Sequence, residues 1–173
     1  GTSNIIRIGV SAGRYRLTTA ETYVMRYLRL SAKGCAITVR DLRLYHIAFP
    51  ATHITARFAG QDDAMHRIFD AAVETFRANT VDIYMDCPSR ERAGWLCDSF
   101  FTSRVERVLT GRSDVERAFL QNFLLPEHFA FLPDGMLPMC YPSDHNDRTF
   151  IPNWAMWYGV EMGEYLTRTG DRA

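Results

Sequence analysis

The hydrophobic pattern of this chain changes period once. Before about residue 57 it is strand-like: Tyr23, Met25 and Tyr27 alternate with Val24, Arg26 and Leu28, and a second run begins at Ala36 after the turn-forming Lys33-Gly34. A hairpin is expected here. In the second run Ile37 and Val39 share one parity while Leu42 and Leu44 share the other, which requires a bulge or break near Arg40-Asp41. Pro50 ends the run. Two or three strands make a poor independent core, so their partner strands are expected in sequence outside this chain.

From about residue 61 the period is helical. Met65, Ile68, Phe69, Ala72, Val73 and Phe76 follow the i, i+3, i+4, i+7 rule behind an Asp62 N-cap, predicting a helix with one wide apolar face. A second helix is predicted over about 97–110, with Phe101, Val105, Val108 and Leu109 on one face and Gly111 as its stop. Ser113-Asp114-Val115-Glu116 is a capping-box pattern opening a third helix, which carries Phe119, Leu120 and Phe123. Residues 126–150 hold four of the seven prolines, together with Asp134-Gly135 and the polar run from Ser143 to Asp147, and read as a long irregular connection. A fourth helix follows Pro152, with Trp154, Trp157, Tyr158, Met162 and Tyr165 at helical spacing and Gly170 as its cap. On it Gly159 and Gly163 lie one turn apart, where a neighbouring helix is expected to approach closely.

Charge and composition narrow the partners. Acidic and basic residues balance at 20 each without a block of either sign, so neither nucleic acid nor an anionic membrane is expected as a partner. No apolar run approaches the ~20 residues that span a bilayer. Aromatic residues make up 13% of the chain, and their flat faces suit sugar rings as well as they suit a core. Cys35, Cys87, Cys97 and Cys140 are dispersed, with no C-x-x-C pair, so neither a metal site nor a disulfide framework is signalled and no cofactor is expected. Asp144, His145 and Asp147 lack calcium-loop or zinc spacing and read as a solvated turn. His46, His53, His66 and His128 form no constellation.

Candidate chemistry concentrates between Asp86 and Asp98. Three carboxylates (Asp86, Glu91, Asp98), two guanidiniums (Arg90, Arg92) and the indole of Trp95 sit within thirteen residues. Pro88 places Asp86 on extended or turn backbone. If the chain is helical from Glu91, then Glu91, Trp95 and Asp98 project from one face. Glycoside hydrolysis needs such a set: one carboxyl protonated for the leaving oxygen, others to hold hydroxyls, and an aromatic wall. Asp86 and Asp98 would raise the pKa of Glu91, whereas Arg90 and Arg92 would lower it, and spacing does not decide the sign. On spacing alone the same charges also fit a set of ion pairs on a solvated helix start.

The run Asp86-Cys-Pro-Ser-Arg-Glu-Arg-Ala-Gly-Trp-Leu-Cys-Asp98 resembles the aspartate-cysteine-proline, arginine-glutamate-arginine, glycine-tryptophan, aspartate signature of the bacterial α-L-rhamnosidases of glycoside hydrolase family 78. The resemblance extends upstream through Arg57-Phe58 and Asp62 to Phe69, and downstream through Phe150 to Trp154 and Gly170 to Arg172. It implies a mainly α fold: residues 58–173 as the N-terminal portion of an incomplete (α/α)6 six-hairpin barrel, and residues 1–57 as the C-terminal strands of a β-sandwich. It also implies inverting hydrolysis of terminal α-L-rhamnosides, with Glu91 as general acid, Asp86 and Asp98 on rhamnose hydroxyls, and Trp95 as a wall. By the same resemblance Arg90 orients carboxylates and Trp154 belongs to the aromatic surroundings of the sugar. The family's extra acidic residue between arginine and glutamate is missing here.

An inverting enzyme also needs a base about 6.5–9.5 Å from the acid. In the family it comes from a later hairpin, so it is expected beyond Ala173, with Asp144 or Asp147 as the alternative if the loop folds over the site. The chain is therefore expected to need the remainder of its parent chain, to be inactive when isolated, and to self-associate through faces meant for missing neighbours. Two further readings stay open: a carbohydrate-binding module without turnover, and a six-hairpin glycosidase for another sugar.

Overall fold

A computed structural model describes residues 5–19, 22–143 and 148–172. It divides into two units, Gly1–Ile47 and Ala48–Ala173.

In the first unit the backbone honours the local signals without forming the hairpin. Gly34 turns at φ 78° and Asp41, at the expected break, also adopts a left-handed φ of 54°. Among the described residues no ladder joins the two runs, and Val24, Met25, Ile37, Val39, Leu42 and Leu44 are all exposed. A two-stranded hairpin is marginal without a surface to cover its apolar side, and among the described residues of this unit none is buried.

The second unit is built on four helices: α1 Asp63–Asn79, α2 Leu96–Thr110, α3 Asp114–Asn122 and α4 Pro152–Thr169. Asp62 caps α1 as expected, accepting from the Ala64 and Met65 N–H groups. Phe76 of α1 is buried, but Met65 and Ile68 at the N-terminal end of its apolar face are exposed. Gly111 and Gly170 end α2 and α4 in the left-handed conformation at φ 72° and 71°. Residues ahead of α1 also pack on the helices: Phe49 is buried against Phe76, its N–H bonds the Arg77 carbonyl, and the Thr55 and Ala56 N–H groups bond Leu109 O.

The face that α2 buries is not the one its hydrophobic pattern selects. Phe101, Val105 and Val108 are exposed, whereas Ser99, Ser103, Glu106 and Thr110 are buried alongside Leu96, Phe100 and Leu109. Each of these polar groups has hydrogen bonds to make inside. Ser103 and Thr110 bond carbonyls of their own helix, and Ser99 reaches Glu161 of α4. The carboxylate of Glu106 accepts from Val115 N and Glu116 N, both at 3.1 Å, and from the Tyr84 hydroxyl. Glu106 thus does the capping that the Ser113 box was expected to do; the Ser113 side chain makes no cap bond, and Glu116 turns away to pair with Arg168.

Contacts between α2 and α4 advance together, Asp98 with Trp154, Ser99 with Glu161, Arg104 with Glu164. These two helices therefore run parallel. Those between α3 and α4 run in opposite order, Glu116 with Arg168 and Leu120 with Tyr158, so α3 and α4 are antiparallel. Gly159 and Gly163 face open space instead of a close helix neighbour. The core centres on Phe119, Phe123, Tyr84, Leu96 and Tyr158, with a smaller cluster of Ala93, Met139 and Cys140 beside it.

Candidate active site

Residues 86–95 form a closed loop leading into α2, not a helix from Glu91. Residues 88–91 form a turn, Arg92 takes a left-handed φ of 51°, and α2 begins only at Leu96. Helical register therefore does not bring Glu91, Trp95 and Asp98 together. Asp86 closes the loop: its N–H bonds Ala93 O and its Oδ1 accepts from Ala93 N, both at 3.1 Å. The exit of the loop pairs with the long connection between α3 and α4, through Gly94 N to Pro142 O, Tyr141 N to Gly94 O and Leu96 N to Met139 O. Only glycine fits at 94, because a Cβ there would lie 2.4 Å from Tyr141 O and 2.8 Å from the Phe119 ring. That connection, read from sequence as irregular, is what fixes the mouth of α2.

Glu91 is engaged through both carboxylate oxygens. Oε1 pairs with the Arg90 guanidinium, and the Cys87 thiol donates to Oε2 at 3.3 Å, while the Arg90 main-chain N–H points at Cys87 Sγ from 3.4 Å. The hydrogen bond from Arg90 settles the sign left open above: it holds the Glu91 carboxyl down at about 2, against the upward push of partial desolvation and with help from Asp86 and Cys87. Oxygen, sulfur and oxygen of Asp86, Cys87 and Glu91 converge within 4.8 Å of one another. Cys87, read from sequence only as one of four dispersed cysteines, belongs to this cluster; its place inside the charged motif was the available signal.

Asp98 moves the other way. Asp98 is exposed, and only partial desolvation at the mouth of α2 raises its pKa first; Asp86 and Glu91 raise it further by like charge, and a hydrogen bond from the Trp154 side chain opposes them. Two carboxyls of one site are thus pushed apart, Glu91 toward the ionised form and Asp98 toward the protonated form. Trp95 and Trp154, half-buried, both pack on the Ala93, Met139 and Cys140 cluster. The structure therefore brings Asp86, Arg90 and Glu91 together in one loop, and Trp95, Asp98 and Trp154 where α2 meets α4. Asp144, His145 and Asp147 lie outside the described residues. A cleft lined by Phe49, His53, Glu106 and Arg112 sits apart, at the start of α3.

Among the described residues no helix is long and apolar enough to cross a membrane. Residues 53–173 match the family model described as the bacterial alpha-L-rhamnosidase 6 hairpin glycosidase domain. Neither the curated proteins nor the solved structures gave a match.

Proposed function

Because the chain belongs to the family of bacterial alpha-L-rhamnosidase six-hairpin glycosidase domains and so to a glycoside hydrolase type of protein, we propose that it carries the general-acid half of an inverting α-L-rhamnosidase site. Glu91 is the acid. The observation that supports this most is its position: a carboxyl in a loop braced by Asp86, next to a second carboxyl, Asp98, that bears an indole at the head of two parallel helices. Asp86 and Asp98 then hold sugar hydroxyls, and Trp95 and Trp154 supply the apolar wall.

An acid must carry its proton when the leaving oxygen departs, and Glu91 in its pair with Arg90 does not. The Arg90 side chain is 72% exposed, so it is free to swing outward as a substrate arrives. A bound sugar that displaces the guanidinium and excludes water raises the Glu91 pKa by removing the dominant lowering contact and adding desolvation. The same ion pair favours the second reading, a carbohydrate-binding module without turnover, in which Glu91 stays ionised and accepts a hydroxyl.

The full-length gene product, given a nitrophenyl α-L-rhamnoside and followed by proton NMR, is expected to release rhamnose with the inverted anomer appearing first. First appearance of the retained anomer would overturn inversion. Turnover of a different nitrophenyl glycoside in its place would assign another sugar, and binding without turnover of any glycoside would favour the module.

A further inference from the structure

We infer that Cys87 is a positioning residue for the acid: its thiol anchors Oε2 of Glu91, which leaves Oε1 as the oxygen that exchanges Arg90 for the glycosidic oxygen. The inference rests on the reading of Glu91 as general acid and divides the work between its two oxygens.

The division follows from what holds each one. Oε1 is held by a guanidinium on an exposed side chain, a contact that solvent or substrate can replace. Oε2 is held from inside the loop by a half-buried thiol 3.3 Å away. That thiol is itself oriented, because the Arg90 main-chain N–H points at Sγ from 3.4 Å and so leaves the S–H proton for the carboxylate on the other side. The two contacts made by Arg90 are separable. If its side chain leaves, its backbone stays, and the thiol keeps its orientation. One residue earlier, Asp86 is pinned to Ala93 through both main chain and side chain, so the Cys87 backbone is fixed at its N-terminal side as well.

During the reaction the proton on Oε1 passes to the leaving oxygen as the bond from the anomeric carbon to that oxygen breaks, with its electron pair going to the oxygen, while a water bonds the anomeric carbon from the opposite face and gives its proton to the second carboxylate that inversion requires. Glu91 is left as a carboxylate. The thiol keeps its own proton throughout and donates more strongly as charge forms on Oε2. No oxidant, metal or covalent sulfur intermediate is involved.

Two measurements test this. The first is a carbon-13 NMR titration of the Glu91 side-chain carboxyl in the chain, for the native protein, Cys87→Ala and Cys87→Ser. Loss of one hydrogen bond to the charged form is expected to raise the Glu91 midpoint by about half to one pH unit in Cys87→Ala, and serine, which keeps a donor, is expected to restore most of it. If alanine does not fold, Cys87→Val fills the thiol's space without a donor and serves the same purpose. The second measurement is turnover by the full-length gene product. Cys87→Ala is expected to slow an alkyl rhamnoside, whose leaving group needs protonation, by about tenfold, to move the basic limb of its pH profile upward, and to spare a dinitrophenyl rhamnoside. An unmoved Glu91 midpoint, or equal losses on both substrates with an unmoved pH profile, would overturn the anchor. Failure of the acid reading is distinguishable: Glu91→Gln would then turn over the alkyl rhamnoside as fast as the native protein.

Discussion

The carboxyl of Glu161 on α4 meets the Ser99 hydroxyl of α2 at 2.7 Å, and its other oxygen, Oε2, is buried with no protein partner. Ser99 has one proton and two acceptors in reach, Leu96 O and Glu161 Oε1. The Ser99 hydroxyl donates to Glu161 Oε1 across the helix pair and to Leu96 O within its own helix, sharing one proton between them. Burial pushes the Glu161 carboxyl up to about 8, with the bond from Ser99 opposing and Glu116 adding. The link between the parallel helices α2 and α4 is thus a hydroxyl–carboxyl contact whose acid is pushed by burial toward its protonated form.

A stability profile follows from it. The Glu161 carboxyl ionises near 4.5 when exposed and near 8 in the folded chain. Between those values the folded state binds more protons than the unfolded state, so this group's contribution is complete below pH 4.5, falls as pH rises, and is gone above about 8. Tyr158, Cys97 and Glu116 face the same region and sense its charge. Thermal melts from pH 5 to 9 are expected to show a declining Tm that Glu161→Gln flattens. A decline of equal slope in the variant would place its origin elsewhere.

Helix α3 offers a test of which residue caps it. Replacement of an N-cap serine ordinarily costs about 1 kcal/mol. Here Ser113→Ala is expected to change stability by less than about 0.5 kcal/mol, because the hydroxyl makes no bond. Glu106→Gln puts an amide donor where two N–H groups and a tyrosine hydroxyl need an acceptor, and is expected to cost about 2 kcal/mol or more by urea denaturation. The reverse ranking would restore the capping box.

The Arg90 pair is checked by titration. Arg90→Gln removes the largest cause of the low Glu91 pKa, so the Glu91 midpoint is expected to rise from about 2 toward the ordinary 4.5. Since the pair is partly exposed, added salt should raise the native midpoint in the same direction and leave the variant nearly unchanged. A native midpoint already near 4.5 would show that the pair does not persist in solution.

Exposed apolar positions on α2, namely Phe101 at 59%, Val105 at 41% and Val108 at 73%, form a continuous stripe. Sedimentation of the chain is expected to show self-association that Val108→Lys weakens. A monomer at all concentrations would sink the idea that this stripe is sticky.

Much of the helical layout was legible because it depends on local signals. Asp62, Gly111, Pro152 and Gly170 mark helix ends through backbone geometry that needs no tertiary information. The buried face of α2 was not legible. A pattern of Ser99, Ser103, Glu106 and Thr110 looks solvated until the partners that satisfy it, Tyr84, Glu161 and the start of α3, are in place. The candidate site divided in the same way. Its residues were readable as a thirteen-residue motif, but their convergence comes from the left-handed Arg92, the close approach at Gly94 and the pairing with residues 139–142, none of which a helical wheel contains.

The central claim is that Glu91 protonates the leaving group of a rhamnoside, and the leaving-group dependence of Glu91→Gln in the full-length gene product tests it most directly. Turnover of an alkyl α-L-rhamnoside is expected to fall by about a hundredfold or more, while a dinitrophenyl α-L-rhamnoside, which departs without a proton, is expected to lose far less. Equal rates for native and variant protein on the alkyl substrate would contradict the account.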